Sequence, residues 1–185
     1  MDLETLIERC RTGDPLAWEM LVRRYQGRAF GLAYHYLGNA EEARDLAQEI
    51  FVRIYERLAS CTSAETFVPW MIRIGRNLCI DRLRRRRARP QAVTTPVEEM
   101  VDLAADAPGP ATDLERGARR DLVQRAIARL SDVNREVILL KEIEGLTLQE
   151  IAEMLGVPIG TVKSRSNRAR IALADEVRLL LGGSA

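Results

Sequence analysis

Aromatic residues make up only 5% of this 185-residue chain: three Phe, two Trp and four Tyr. A β-sandwich or barrel draws on aromatic and β-branched runs, so this scarcity argues against a sheet-built core. Cysteine is equally sparse. Cys10, Cys61 and Cys79 have no short paired spacing and His35 is the single histidine. That excludes a zinc cluster or a disulfide framework and reads the thiols as reduced, buried side chains. No cofactor or metal is expected. No apolar run approaches the roughly 18 residues that cross a bilayer, and Met1 to Cys10 is amphipathic and acidic, unlike a secretory signal. The expected location is cytoplasmic. What the chain does have is 46% hydrophobic content and recurrent Leu, Ile, Ala, Arg and Glu, the composition of globular, helical proteins. The expected fold class is all-α.

The formal net charge of +1 hides strong segregation along the chain. No basic residue lies between Arg89 and Arg116. That stretch instead holds Glu98, Glu99, Asp102, Asp106, Asp113 and Glu115, with Pro90, Pro96, Pro108 and Pro110 to interrupt helices. Residues 90–115 therefore read as a flexible acidic linker between two small helical domains, 1–89 and 116–185. In the first domain, apolar residues recur at helical spacing in four segments. Leu3, Leu6, Ile7 and Cys10 mark the first. Asp14 and Pro15 open a second that bears Trp18, Leu21, Val22, Tyr25, Ala29, Leu32 and Tyr36 and stops at Gly38. Asn39 can cap a third with Ala43, Leu46, Ala47, Ile50, Ile54 and Leu58 inward, and a polar loop, Ser60 to Thr66, leads to a fourth with Phe67, Met71, Ile74 and Leu78 buried. In the second domain Leu122, Val123, Ala126, Ile127 and Leu130 mark one helix. Ser131 begins another, with Val137, Leu140 and Ile143, which Gly145 ends.

Leu146 to Leu173 reads as a helix-turn-helix. Thr147 and Glu150 have capping-box spacing, Gly156 suits a left-handed helix end, and Pro158 presets a second helix a few residues on. On a helical wheel Ile159, Val162, Ser166, Ala169 and Leu173 share one side, a set of mostly small residues that allows close packing. The opposite side presents Gly160, Thr161, Ser164, Asn167, Arg168 and Ile171, flanked by Lys163, Arg165 and Arg170, with no acid before Asp175. Asn and Arg can hydrogen-bond base edges in the major groove while flanking cations neutralise phosphates. Thr161, Lys163, Ser164, Arg165, Asn167, Arg168 and Arg170 are thus candidate DNA contacts.

A second basic cluster lies in the first domain. Arg73 to Arg89 holds eight arginines against one acid, Asp81, a segment that attracts phosphate. Trp70 stands one step off the buried stripe, on the side of Arg73, Asn77 and Arg84. An aromatic plane among donors and cations suits unstacked bases. Trp70, Arg73, Arg76, Asn77 and Arg84 are the candidates here.

With both clusters in place, the chain resembles a bacterial RNA polymerase sigma factor of the extracytoplasmic-function type over nearly its whole length. The strings that carry the resemblance are Asp45-Leu46-Ala47-Gln48-Glu49-Ile50-Phe51, then Trp70-Met71-Ile72-Arg73-Ile74 through Asn77 to Asp81-Arg82. The last is Gly160-Thr161-Val162-Lys163-Ser164-Arg165 with Arg168-Ala169-Arg170. The resemblance implies a non-enzymatic initiation factor that binds core RNA polymerase. Its first domain would open and hold the minus-ten element, and its second would read the minus-35 element. It also implies docking of Asp45, Gln48, Glu49 and Phe51 on the clamp helices of the largest polymerase subunit, contact of the protein with the beta flap, and control by an anti-sigma factor. No small-molecule substrate is implied. The family captures a flipped base with the loop matching Ser60 to Thr66, where this chain lacks an asparagine or aromatic residue; Ser166-Asn167 stands where bulkier side chains are common.

Two other readings compete. A dimeric repressor or activator with a ligand-sensing first domain would share the last helix pair, but has no use for an arginine-rich helix with an aromatic residue. A nuclease would need clustered carboxylates or a positioned histidine, and the acids here are spread along outer helix faces and the linker.

Overall fold

The computed structural model describes residues 1–88 and 110–182, with side chains from 117 onward in the second stretch. Residues 90–109 of the expected linker lie outside the described residues. Among the described residues there are eight α-helices and no strand, and the chain divides into two compact units, Met1–Asp102 and Leu103–Ala185.

The first unit is built from α1 (Leu3–Arg11), α2 (Pro15–Leu37), α3 (Ala40–Arg57) and α4 (Ala64–Ala88), with a 3₁₀ turn, Leu58–Ser60, after α3. Side chains close the helix starts. Asp2 accepts from the Thr5 amide at 2.8 Å, Asp14 from Leu16 and Ala17 at 2.9 and 3.2 Å, and Asn39 from Glu42 at 2.9 Å. Each such cap satisfies an amide donor and stabilises its helix by about 1 kcal/mol. Gly38 ends α2 in the left-handed region, its N–H closing on the Tyr34 carbonyl.

Helix α2 packs on α1, α3 and α4, and α3 on α4. Leu21, Leu46, Ile50, Ile54, Phe67, Met71 and Ile72 are fully buried between them; each such side chain contributes roughly 1.5–3 kcal/mol of transfer energy. The tightest crossing is at Gly75. A Cβ there would lie 2.7 Å from Leu32 Cδ2 and 3.0 Å from Ile50 Cδ1, so α4 approaches α2 and α3 only because position 75 has no side chain.

Three details differ from the periodicity. Thr66 belongs to α4, where its hydroxyl meets Ser63, so the loop shrinks to Cys61–Ser63. Leu78 is half-exposed, and the buried stripe continues instead through Ile72 and Cys79. Pro69 sits within α4 and has no amide to donate to the carbonyl four residues earlier, Glu65, which lies in the first helical turn where the loss is smallest.

The second unit comprises α5 (Pro110–Arg129), α6 (Asp132–Ile138) with a π-helical turn, Leu139–Ile143, α7 (Leu148–Leu155) and α8 (Ile159–Gly182). Pro110, expected to interrupt a helix, opens α5 at its first position, where the missing N–H has no intrahelical partner to lose. Ser131 stands at the start of α6 without a side-chain cap bond. Helix α8 packs on α5, α6 and α7 around Ala126, Ile127, Val137, Ile138, Leu140, Ile151, Val162 and Ala169. The Arg135 guanidinium donates to the carbonyls of Ile127, Ala128 and Leu130 at 3.1, 2.6 and 2.9 Å, closing the C-terminus of α5. Ile143, expected inward, is exposed, and Glu144 is buried in its place after the π turn; Val123 is exposed as well.

Gly75→Ala should destabilise the first unit by about 1–2 kcal/mol, because the packing penalty exceeds the gain in helix propensity. Gly31→Ala in α2, with nothing within 4 Å of the added Cβ, should stabilise by about 0.5–1 kcal/mol. Denaturant unfolding of both variants checks the pair; equal effects would remove the close crossing.

Candidate nucleic-acid interface

The helix-turn-helix of the second unit is assembled by local rules. Thr147 and Glu150 form the reciprocal cap: the Thr147 amide donates to Glu150 Oε2 at 2.7 Å, and the Glu150 amide to Thr147 Oγ1 at 3.2 Å. Gly156 at φ +65° ends α7, a conformation that strains any residue with a Cβ, and the amides of Gly156 and Val157 both close on the Ala152 carbonyl. Three residues, 156–158, join α7 to α8. The Pro158 carbonyl then accepts from Thr161 and Val162 at 2.9 and 3.2 Å, launching α8.

Helix α8 is held by Val162, Ser166 and Ala169, all buried. Ile159, expected on that inner side, is 49% exposed. It occupies the first position of the helix, before α8 comes down onto the unit. Of the seven residues singled out on α8, Lys163, Ser164, Asn167, Arg168 and Arg170 are exposed and Thr161 and Arg165 are half-buried. Two are engaged internally. The Ser164 hydroxyl donates to the Thr161 carbonyl at 2.9 Å. Nε and a terminal nitrogen of Arg170 both lie 2.8 Å from Oε1 of Glu142, which also has Lys141 Nζ at 3.6 Å. The hydrogen bond from Arg170, with the charges of Lys141 and Arg170, holds the Glu142 carboxyl below the usual carboxylate range. Lys163, Arg165, Asn167 and Arg168 make no side-chain hydrogen bond or ion pair among the described residues. Lys141, Gly160, Lys163, Ser164, Asn167 and Arg170 line a shallow cleft of about 510 Å³ along this face.

In the first unit α4 presents Arg73, Asn77 and Arg84 exposed, with Trp70 and Arg76 half-buried. The Trp70 ring is tilted against Phe67, centroids 5.9 Å apart, and is held partly against the core while remaining partly exposed. Arg76 donates to Asn77 Oδ1 at 3.2 Å, and Arg84 lies 3.8 Å from Asp81. Other arginines of the cluster serve the fold. Arg82 pairs with Glu49 of α3 at 3.3 Å, and Arg86 reaches the Leu37 carbonyl at the end of α2 at 3.5 Å.

On α3, Asp45 and Gln48 are exposed and Glu49 half-buried. Phe51 is not on that face. It is 7% exposed, its ring edge-on to Trp18 at 6.3 Å, because it falls one step from Ile50 on the core side. The exposed positions in line with Asp45 and Gln48 are Val52 and Tyr55, at 56% and 61%, with Tyr55 edge-on to Trp18 at 5.1 Å. Their signal in the sequence is two apolar residues at helical spacing on an otherwise polar side. Glu142 on the π turn was missed as well, since only the folded unit brings it to Arg170.

All three cysteines are free and buried, and burial pushes the Cys79 thiol up to about 12. Among the described residues no group of three or more His, Cys, Asp or Glu could hold a metal ion, and no helix is long and apolar enough to cross a membrane.

Residues 21–89 match the family of sigma-70 region 2, and residues 120–173 that of sigma-70 region 4. The ECF RNA polymerase sigma factor SigW of Bacillus subtilis is 35% identical over 183 residues, 96% of this chain and 98% of the relative. The chain belongs to the ECF RNA polymerase sigma factors. It is a transcription initiation factor that directs RNA polymerase to promoters, and its relatives are not enzymes. Two solved structures share the fold. CnrH in complex with the cytosolic domain of CnrY is 27% identical, covers all of both chains and has a TM-score of 0.65. RpoE in complex with the anti-sigma factor NepR from Bartonella quintana is 21% identical, covers 86% of this chain and 96% of that one, and has a TM-score of 0.67.

Glu142→Gln keeps the side chain's shape and removes the negative charge that holds Arg170. Affinity of the full chain for duplex DNA at low salt should rise roughly two- to fivefold, the range of an exposed ion pair, with a smaller gain at high salt. Because the Glu142 carboxyl titrates below the ordinary carboxylate range, the pair persists above that range and is lost only as pH falls through its lowered value. The difference should therefore be constant between pH 6 and 8. Fluorescence anisotropy checks it; equal affinity at every salt would show that Glu142 does not restrain Arg170.

Proposed function

We propose that the two units divide the promoter between them. The second reads the minus-35 element through Thr161, Lys163, Ser164, Arg165, Asn167, Arg168 and Arg170. The first holds the opened minus-ten element through Trp70, Arg73, Arg76, Asn77 and Arg84. The observation that carries this reading is the set of cations and one amide, Lys163, Arg165, Asn167 and Arg168, without internal partners among the described residues on the second helix of a helix-turn-helix. Trp70 supports the other half: a half-buried ring anchored on Phe67 can stack an unpaired base with its exposed part, worth about 1–3 kcal/mol. Opening then follows from preferential binding of the separated strand, without chemistry.

Asp45, Gln48 and Glu49 dock on the clamp helices of the largest polymerase subunit, with the beta flap as a further contact of the protein. Phe51 supports this face from beneath by fixing α3 on α2. The Arg82–Glu49 pair ties the docking helix to the helix that carries Trp70. The protein acts as a binding factor and not as an enzyme, in the cytoplasm where polymerase works. Its partner off the promoter is an anti-sigma protein, a reading supported by CnrH, solved with the cytosolic domain of CnrY. A protein that covers these basic faces would suppress non-specific DNA binding.

Added to core polymerase on its own promoter, the chain should produce transcripts; a repressor would give none. Arg168→Ala should weaken promoter binding by the holoenzyme roughly tenfold while leaving polymerase binding intact, and unchanged minus-35 affinity would overturn that assignment. Asp45→Arg or Gln48→Ala should weaken capture of core enzyme without lowering Tm. Full retention in a pull-down would remove α3 from the docking surface.

A further inference from the structure

We propose that Asn167 is the adenine-reading residue of α8, so that this chain's promoters carry an obligatory adenine at one position of the minus-35 element. This rests on the reading of α8 as the promoter-contacting helix. Gly160, Ser164 and Asn167 succeed one another at spacings of four and three, and so form one row along the helix. The row is short in profile. Gly160 has no side chain, and the Ser164 hydroxyl is turned back onto the Thr161 carbonyl at 2.9 Å. Burial of Ser166 at 4% and of Val162 and Ala169 fixes the rotation of α8, so Asn167 cannot turn inward. Its amide is the one polar group of that row with no hydrogen bond among the described residues.

A low row lets the helix backbone come close to the floor of a groove, where a short side chain with two torsions reaches the base edge. The Asn amide offers an acceptor oxygen beside a donor nitrogen. In the major groove only adenine presents the complement, the N6 amino donor beside the N7 acceptor. Guanine shows two acceptors, N7 and O6, and would leave the amide oxygen facing an acceptor. Cytosine offers its N4 donor alone, and thymine an acceptor and a methyl group. Phosphate, acceptor-only, is better served by the flanking cations Lys163 and Arg165, which have no internal partners among the described residues. The flanking cations set the register, and the amide selects within it.

The test is selection of bound DNA from a promoter library randomised across the minus-35 element, with holoenzyme reconstituted from the full chain and core polymerase. The wild-type chain should select adenine at one position. Asn167→Ala should relax that position roughly tenfold and leave the others unchanged, and Asn167→Arg should move the same position to guanine. Thermal unfolding of both variants should match the wild type, since the side chain has no partner to lose. Uniform weakening at every position by Asn167→Ala would mark a phosphate contact and overturn the proposal, as would a relaxed position that was not adenine. A wild-type holoenzyme with no upstream sequence preference would overturn the reading of α8 as well, an outcome distinct from these.

Discussion

Close helix approach, made possible where side chains are small, is the constraint on which both units depend. At Gly75 the absence of a Cβ lets α4 settle against Leu32 and Ile50, so Trp70 and Arg73 on its outer side are held against a fully packed core. In the second unit Ser166 and Ala169 play the corresponding part with Val162, and α8 seats itself through one narrow strip. A helix anchored by so little of its circumference leaves most of it available. Larger side chains at these positions would push the helix away and turn its outer face through an angle, and base contacts tolerate little displacement because hydrogen bonds weaken steeply with distance and angle.

The charges divide by whether folding has already engaged them. Arg135 closes α5, Arg86 reaches the end of α2, Arg82 joins α4 to α3, and Arg170 is clasped by Glu142. A count of basic residues therefore overstates the cationic surface. What remains without internal partners on α8, among the described residues, is Lys163, Arg165 and Arg168, with the Asn167 amide on the same helix. The two ion pairs among these, Arg82–Glu49 and Arg170–Glu142, contribute at most about 1 kcal/mol each, so DNA phosphates can compete for Arg170.

Much of this was legible in the sequence because it is local. Asp14-Pro15, Asn39, Thr147 with Glu150, Gly38 and Gly156 announce helix ends through groups within four residues of one another, and the structure forms each of these caps and stops. The buried stripe of α3 follows from period alone, as does most of that of α2, where Trp18 and Val22 are half-buried; of the inner side expected for α8, Val162, Ser166 and Ala169 are buried and Leu173 is half-buried. The misreadings arise where period or residue type competes with geometry. Ile159 and Ile143 are apolar and lie outside, one at a helix start and one at the end of a π turn that changes the residues per turn. Phe51 belongs to the string that resembles a docking motif, yet one step along a helix is a rotation of 100°, and it points to Trp18. The Glu142–Arg170 pair joins residues 28 apart, which no periodicity encodes.

Two modest grips on one polymer, joined in one chain, behave differently from either alone. Once one unit is bound, the other meets DNA at an effective concentration that is millimolar for short connections, so neither needs high affinity of its own. On the proposed division of the promoter, a small outward set on α8 is enough. Affinity supplied by phosphate contact alone would hold the protein on any sequence, whereas a few unengaged groups and a directional amide leave the total sensitive to each base. On the proposed division of the promoter, a factor joined to polymerase discriminates because neither half suffices alone, and strand opening draws on the surplus available only when both halves are matched.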